Sequence, residues 1–391
     1  MKSDGKNAPL KIAFISPEAR DEFNRYEEPE PVFGTAPAAV LKGLAGRDDC
    51  EIHVISCTKK PLKAPPKLAS NIFYHPLVVP RWGWTKTFFF GCVRAIRRKV
   101  SEINAAIVHG QGTERYAGIG AAFSGRPNVI TIHGIMRQIA RVKQAPTFSY
   151  FGLIARLEAF TIPRSDGIIC ISSHTKRHVE SLARRTWIVP NAVADHYFSV
   201  QREPAALPEI ICIANIISYK NQLALIRALD PLAPHHFRLI FFGSTFPNDP
   251  YCEEFLEMVR ARPWCRFEGY KDSIELAKAF RTAALLALPS LEENCPMSVI
   301  EAMAAGVPVV ASRIGGVPDL IDDGVTGLFC DPQNVETIRS PIERLLQSPE
   351  LRATMGAAGK IKAMAKFKDT VIAARHMEIY REVVAAKAAA S

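Results

Sequence analysis

Apolar positions along the chain gather into short, nearly continuous runs separated by longer amphipathic stretches. In the first half the runs are KIAFIS (11–16), EIHVIS (51–56), AAIVHG (105–110), NVITIHG (128–134), GIICIS (167–172) and TWIVPN (186–191). Runs this short and this rich in β-branched residues read as strands covered on both faces, the habit of parallel sheets. The stretches between the later runs are long enough for crossover helices. After residue 200 the alternation restarts with EIICIAN (209–215), RLIFFG (238–243), RFEGY (266–270), LLALPS (285–290) and VPVVAS (307–312). NQLALIRALD and SIELAKAFRTA supply helices between them. The pattern predicts an α/β chain of two doubly wound, Rossmann-like domains. FSVQREPAALPE (198–209), with two prolines and little periodicity, reads as the linker. The expected domains are 1–198 and 199–372, followed by a helical stretch over 373–391.

Composition narrows the class. Apolar residues at 48% and charged residues at 23% suit a soluble globular protein of 391 residues with two cores. The nine cysteines are odd in number and scattered, with no Cys-x-x-Cys. That suits buried thiols in a reducing compartment, and argues against a disulfide scaffold or a zinc site. The start lacks the apolar core of a signal peptide, and no run approaches the ~18 apolar residues of a membrane span. The expected location is cytoplasmic. Charge is uneven: residues 1–190 carry 28 basic and 15 acidic side chains, the remainder 21 and 24. The first half should therefore favour a negatively charged partner.

The richest local chemistry lies in EENCPMSVIEAMAAGVPVVAS (292–312). Pro296 suits the first position of a helix, where its missing N–H is no loss. Val299, Ile300 and Met303 can share an apolar face, and Gly306 supplies a stop before the next strand. Glu293 then precedes the helix and Glu301 occupies its second turn. Free N–H groups near Met297 and Ser298, at the positive end of the helix dipole, make an anion site. Two readings compete: a helix with acids before its start and on its polar face, or a ligand site at a helix N-terminus.

Residues 289–329, PSLEENCPMSVIEAMAAGVPVVASRIGGVPDLIDDGVTGLF, resemble the signature block of the retaining nucleotide-sugar glycosyltransferases of family 4. Weaker matches, IVHGQG, TIHG, SDGIICISS, VPNAV and SYKNQ, follow the family's order. The resemblance implies the GT-B fold, two Rossmann-like domains facing each other across a cleft. The acceptor would bind mainly to the first, the nucleotide-sugar donor mainly to the second, with the last helix crossing back to the first. It implies transfer from a UDP- or GDP-linked sugar to the hydroxyl of a glycan, glycolipid or lipid-linked acceptor, with retention of anomeric configuration, in cell-envelope synthesis.

Carried over by position, Glu301 matches the glutamate that holds the donor ribose, and Glu293 the one beside the transferred sugar. The backbone of Pro296, Met297, Ser298 and Val299 falls where the family binds sugar and diphosphate. Lys220 matches the lysine that neutralises the leaving diphosphate; by itself it reads as a solvated lysine at a helix start, and its place five residues after the first strand of the second domain, before NQLALI, reverses that. Five residues earlier the family usually has arginine, and this chain has Asn215, which can bond a phosphate but cannot neutralise it. In the first domain only Gly34, followed by Thr35, remains of the family's Gly-Gly loop. His133 in TIHG matches a donor-sugar contact. His109 in VHGQG is either loop structure or active-site lining. No metal or cofactor is expected: Asp-x-Asp is absent, as is any His/Cys cluster with ligand spacing. The charge of the leaving group would then fall to Lys220 and the helix N-terminus.

RWGWTKTFFFGCVRAIRRKV (81–100) sets basic residues beside aromatics without one acid. It fits an anionic membrane surface. It equally fits a helix packed through Phe89, Val93 and Ile96 with Arg94, Arg97 and Arg98 in solvent. Other classes fare worse. A dinucleotide oxidoreductase would show Gly-x-Gly-x-x-Gly, which HGQGTER does not complete, and no nucleic-acid-binding module is recognisable. The rivals are a sugar epimerase of the same fold and a non-catalytic nucleotide-sugar-binding protein, the latter motivated by Asn215.

Overall fold

Buried, β-branched strands assemble into two separate sheets in this computed structural model, which describes residues 8–390 apart from Phe23, Pro204 and His236. One compact unit runs to Asn191 and resumes at Thr370; the other is Ala192–Asp369.

The first unit holds β1 (Leu10–Ile15), β2 (Cys50–Thr58), β3 (Lys67–Ala69), β4 (Ile72–Val78), β5 (Ile107–Gln111), β6 (Asn128–Ile132), β7 (Gly167–Cys170) and β8 (Thr186–Ile188). Their spatial order is β3-β4-β2-β1-β5-β6-β7-β8, parallel except for the short β3. The second unit holds β9 (Glu209–Ile213), β10 (Arg238–Phe242), β11 (Cys265–Phe267), β12 (Ala283–Leu288), β13 (Val309–Ser312) and β14 (Gly327–Cys330). These are all parallel, in the order β11-β10-β9-β12-β13-β14. Each sheet reverses its order once, between β1 and β5 and between β9 and β12. At such a switch point the loops leaving the carboxyl strand ends diverge and open a crevice, where ligands of doubly wound sheets bind.

The pattern of apolar runs missed β3, β4 and β14. β4 is buried only at alternate positions near its start and carries Pro76. Proline is tolerated there because β3 covers only Ile72 and Phe73, leaving that edge free of a further partner. The stretch 198–209 is a packed border of the second unit rather than a bare linker. The Arg202 guanidinium donates to the carbonyls of Phe280 and Ala283, and the Glu203 N–H donates to the Arg281 carbonyl at 2.8 Å. The basic helix Phe90–Ile103 buries Cys92, Ile96 and Val100 against the sheet and leaves Arg94, Arg97 and Arg98 in solvent. All nine cysteines are buried free thiols.

The terminal helix, Asp369–Ala389, is fixed to the first unit by long-range side-chain bonds. Tyr380 meets His109 at 2.6 Å, Arg381 pairs with Asp49 at 2.6 Å, and Lys387 donates to Asp166 at 3.0 Å.

Candidate functional site

In the second unit the crevice between β9 and β12 gathers most of the residues singled out in the sequence. Lys220 ends the turn Ser218–Lys220 that follows β9, and Glu293 stands in the loop after β12. The Lys220 Nζ lies 2.6 Å from Glu293 Oε1, and the Ser290 hydroxyl donates to the same oxygen at 2.8 Å. Glu293 is only 8% exposed, so the pair is largely desolvated and the carboxylate is held in one place. Asn221, in the left-handed conformation at φ 62°, locks the lysine turn. Its amide donates to the carbonyls of Pro289 and Pro332, at 3.1 and 2.8 Å. Three loops from three strand ends are thereby tied together around Lys220.

The loop after β13 closes onto the backbone of Glu293. Gly315 sits at φ 53°, and a Cβ there would fall 1.7 Å from the Glu293 carbonyl oxygen. Only glycine permits that approach.

The helix after Glu293 spans Met297–Ala304, one residue later than the sequence reading set it. Pro296 is its cap and no side chain caps it. Pro296 has no N–H, and the Val299 N–H is already spent on the Pro296 carbonyl at 3.2 Å. Of the four backbone positions proposed for the diphosphate, this leaves Met297 and Ser298 as the donors facing out of the first turn. Glu301, in the second turn of the helix, is 4% exposed. Burial lifts its carboxyl to about 7, and the adjacent Tyr197 phenol only partly opposes this. Tyr197 was not foreseen. It is fully buried beside Glu301.

Asn215, in the loop after β9, is exposed. Its Oδ1 accepts from the Ser244 N–H at 3.3 Å, which ties the loops after β9 and β10. Its amide N–H groups remain available to a ligand.

The first unit contributes a separate set. His133 follows β6 at the carboxyl edge of the sheet, 3.0 Å from Gln111 Oε1 through Nε2. Burial, then the charge of His376, lowers its pKa to about 4, so the ring is neutral. Gly34 and Thr35 begin the helix Thr35–Leu44, exposed and without a side-chain cap. The loop before them is pinned by a fully buried pair, Arg20 Nε to Glu18 Oε1 at 2.8 Å, with the same oxygen accepting from the Val32 N–H at 3.2 Å. His109 lies inside β5, fully buried, with one nitrogen at Tyr380 and the other 2.7 Å from the Thr131 hydroxyl. Of its two readings, the geometry supports structure: both ring nitrogens are engaged.

Glu158 is a further residue the sequence did not signal. It accepts from the Thr113 hydroxyl and from the Met136 N–H at 3.0 Å, which joins the loops after β5 and β6. Burial pushes its carboxyl to about 7. Its only sequence mark is an acid on an otherwise apolar face, YFGLIARLEAFT.

Two family models match the chain in succession: one described as Glycosyltransferase Family 4 over residues 38–196, and one described as glycosyl transferases group 1 over residues 194–362. An uncharacterized glycosyltransferase of Methanocaldococcus jannaschii is 27% identical over 243 residues, 60% of this chain and 62% of that protein. The chain thus spans about three fifths of that curated relative. A sucrose-phosphate synthase from Thermosynechococcus elongatus is similar in fold, with a TM-score of 0.75 at 18% identity over 96% of this chain and 100% of that one. An Anabaena protein solved in complex with UDP and glucose gives a TM-score of 0.70 at 16% identity, over 95% of this chain and 99% of the other.

Proposed function

Because this chain belongs to the glycosyltransferases of group 1 and family 4, we propose that it moves a sugar from a nucleoside diphosphate donor to an acceptor hydroxyl. The observation that carries this reading is the cluster at the β9/β12 crevice. There a desolvated Lys220–Glu293 pair, an uncapped helix N-terminus and a buried carboxylate at Glu301 meet within three tied loops. Each has a separate task. Glu301 accepts from the two ribose hydroxyls, which only a carboxylate can do with both oxygens. The Met297 and Ser298 N–H groups and Lys220 take the diphosphate and its charge as the glycosidic bond breaks. Glu293 faces the sugar, where positive charge develops. In the first unit, neutral His133 at the carboxyl edge of its own sheet is a hydrogen-bonding group that adds no charge.

The donor is a UDP- or GDP-sugar; UDP in the complex of the Anabaena protein, whose fold is similar, favours the former. Retention of configuration follows from the resemblance in the signature block, and Glu293 is not assigned as a nucleophile. The chain's own cation and helix terminus supply the charge stabilisation, so transfer should survive chelation of divalent metals. The acceptor belongs to glycan or glycolipid chemistry of the cell envelope, carried at an anionic surface. Buried, free thiols throughout favour the reducing, cytoplasmic side.

The test separates binding from turnover. Glu301→Ala should weaken nucleotide binding tenfold or more, about 1.4 kcal/mol. Glu293→Ala should leave binding within a few-fold and lower kcat by about a hundredfold, on the scale of one electrostatic contact. Negligible change in both variants would refute both roles. A second reading, a nucleotide-sugar-binding protein without turnover, is favoured by Asn215, a neutral amide that can bond a phosphate but cannot neutralise it. It predicts donor binding with no product for any acceptor.

A further inference from the structure

The segment between β4 and the helix Phe90–Ile103 builds a surface that donor chemistry does not use. Two short 3-10 turns, Arg81–Gly83 and Thr85–Thr87, lead into the helix. Trp84 and Phe89 face inward. The Trp84 indole donates to the Val79 carbonyl at 3.1 Å, and both rings meet Tyr116 edge-on. Phe88 and Phe89 hold consecutive left-handed conformations, at φ 51° and 60°. Bulky side chains adopt that region only where their surroundings impose it. Gly83 and Gly91 lie backbone against backbone; a Cβ on Gly91 would stand 2.6 Å from the Gly83 Cα.

These constraints turn the remaining rings outward. Trp82, Phe88 and Phe90 are 63, 53 and 60% exposed. Three large exposed rings between Trp82 and Phe90 are unusual for a surface that only meets water. Arg81, Lys86, Arg94 and Arg97 are exposed around them, and among the described residues none forms an ion pair with an acid. Glu102, the acid near the far end of the helix, is already paired with Lys99 and Arg98. Among the described residues no helix is long and apolar enough to cross a membrane.

We propose that this rigid wedge docks the first unit on an anionic lipid surface, with the three rings at the headgroup boundary and the unpaired cations on lipid phosphates. Exposed aromatic rings, one of them a tryptophan, beside uncompensated cations are the chemistry of that boundary. A charge-neutral apolar partner would leave the cations unanswered. β4 runs parallel to β2 and β1, so the wedge leaves the same carboxyl sheet edge as the loops that carry Gly34 and His133. Docking there brings a lipid-borne acceptor to the edge where the first unit would receive it. The proposal rests on the transferase reading only for what the membrane delivers; the contact itself does not.

The test is co-sedimentation of the full chain with vesicles of phosphatidylcholine alone, or mixed with phosphatidylglycerol, over a range of salt. Binding is expected only with phosphatidylglycerol, weakening as salt rises. Lys86→Ala with Arg94→Ala should lower partitioning about 25-fold, at roughly fivefold per cation near the surface. Trp82→Ser with Phe90→Ser should lower it at least tenfold. Unchanged thermal midpoints show that these variants fold. Should either pair unfold, Trp82→Ser alone replaces it, with a blue shift of tryptophan emission on anionic vesicles as the readout in the unaltered chain. Equal binding to neutral vesicles, no binding to either, or no loss in both double variants overturns the wedge. Stabilisation by a nucleotide sugar would persist in every one of these outcomes, so failure here is distinct from failure of the donor site.

Discussion

Glu301 is an acid in the ordinary carboxylate range until the protein folds around it, and burial then lifts it to about 7. Its folded form holds the proton more tightly than the unfolded chain does. Its contribution to stability therefore falls as pH rises from about 4.5 to about 7, by roughly 3 kcal/mol at most. Glu301→Gln should remove that slope, and chemical denaturation on either side of the window measures it. The carboxylate, not the acid, accepts from both ribose hydroxyls. Nucleotide affinity should thus rise as pH climbs through about 7, and the rise should vanish in Glu301→Gln. Lys220 and Glu293 make a second case. Their 2.6 Å pair leaves Lys220 two further donors for a diphosphate, while Glu293 offsets part of its charge. Glu293→Gln removes the competing charge, so it should tighten binding of the free nucleoside diphosphate several-fold while slowing transfer. Weaker binding of the diphosphate would show that Glu293 holds Lys220 in place rather than competing for it. The roles proposed for these two residues come from the resemblance, Glu293 by its place in the signature block and Lys220 by its place in SYKNQ. Their mutual contact was not legible in the sequence, because residues 73 positions apart meet only through the strand order.

At the scale of elements, what could be read from sequence depended on how completely each element was buried. The central parallel strands were visible as apolar runs because both faces are covered. β4, exposed along one edge and interrupted by Pro76, carries no such signature. The helix Met297–Ala304 was placed to within a residue, since Pro296 and Gly306 punctuate it. The ties between loops were invisible: Glu158 across the loops after β5 and β6, Glu18 with Arg20 under Gly34, and Asn221 across three strand ends. Single polar side chains do that work, with no periodicity to announce them. Gly315 shows how little slack the loops have. Gly315→Ala should both strain a positive φ and push the loop off Glu293, costing at least 1–2 kcal/mol and most of the transfer activity. A thermal midpoint and rate close to those of the unaltered chain would mean that the closure of this loop onto Glu293 is dispensable.

For the whole molecule, the two-sheet architecture follows from an alternation repeated twice along one chain, and in the second sheet the strand order reverses where its candidate residues collect. The excess positive charge of the first half is now located in part. Arg81, Lys86, Arg94 and Arg97 surround outward-facing rings, while other cations, such as Arg47 and Lys59, are spent on internal pairs. Function remains a matter of the site rather than the fold, since folds of this kind host many activities. The central claim is that the crevice between β9 and β12 binds a nucleotide sugar through Glu301. Calorimetric titration of the full chain with a panel of UDP- and GDP-sugars, repeated with Glu301→Ala, tests it most directly. The account predicts saturable binding of at least one donor, weakened tenfold or more by the substitution. Absence of binding by every nucleotide and nucleotide sugar, or binding that ignores Glu301→Ala, would contradict it.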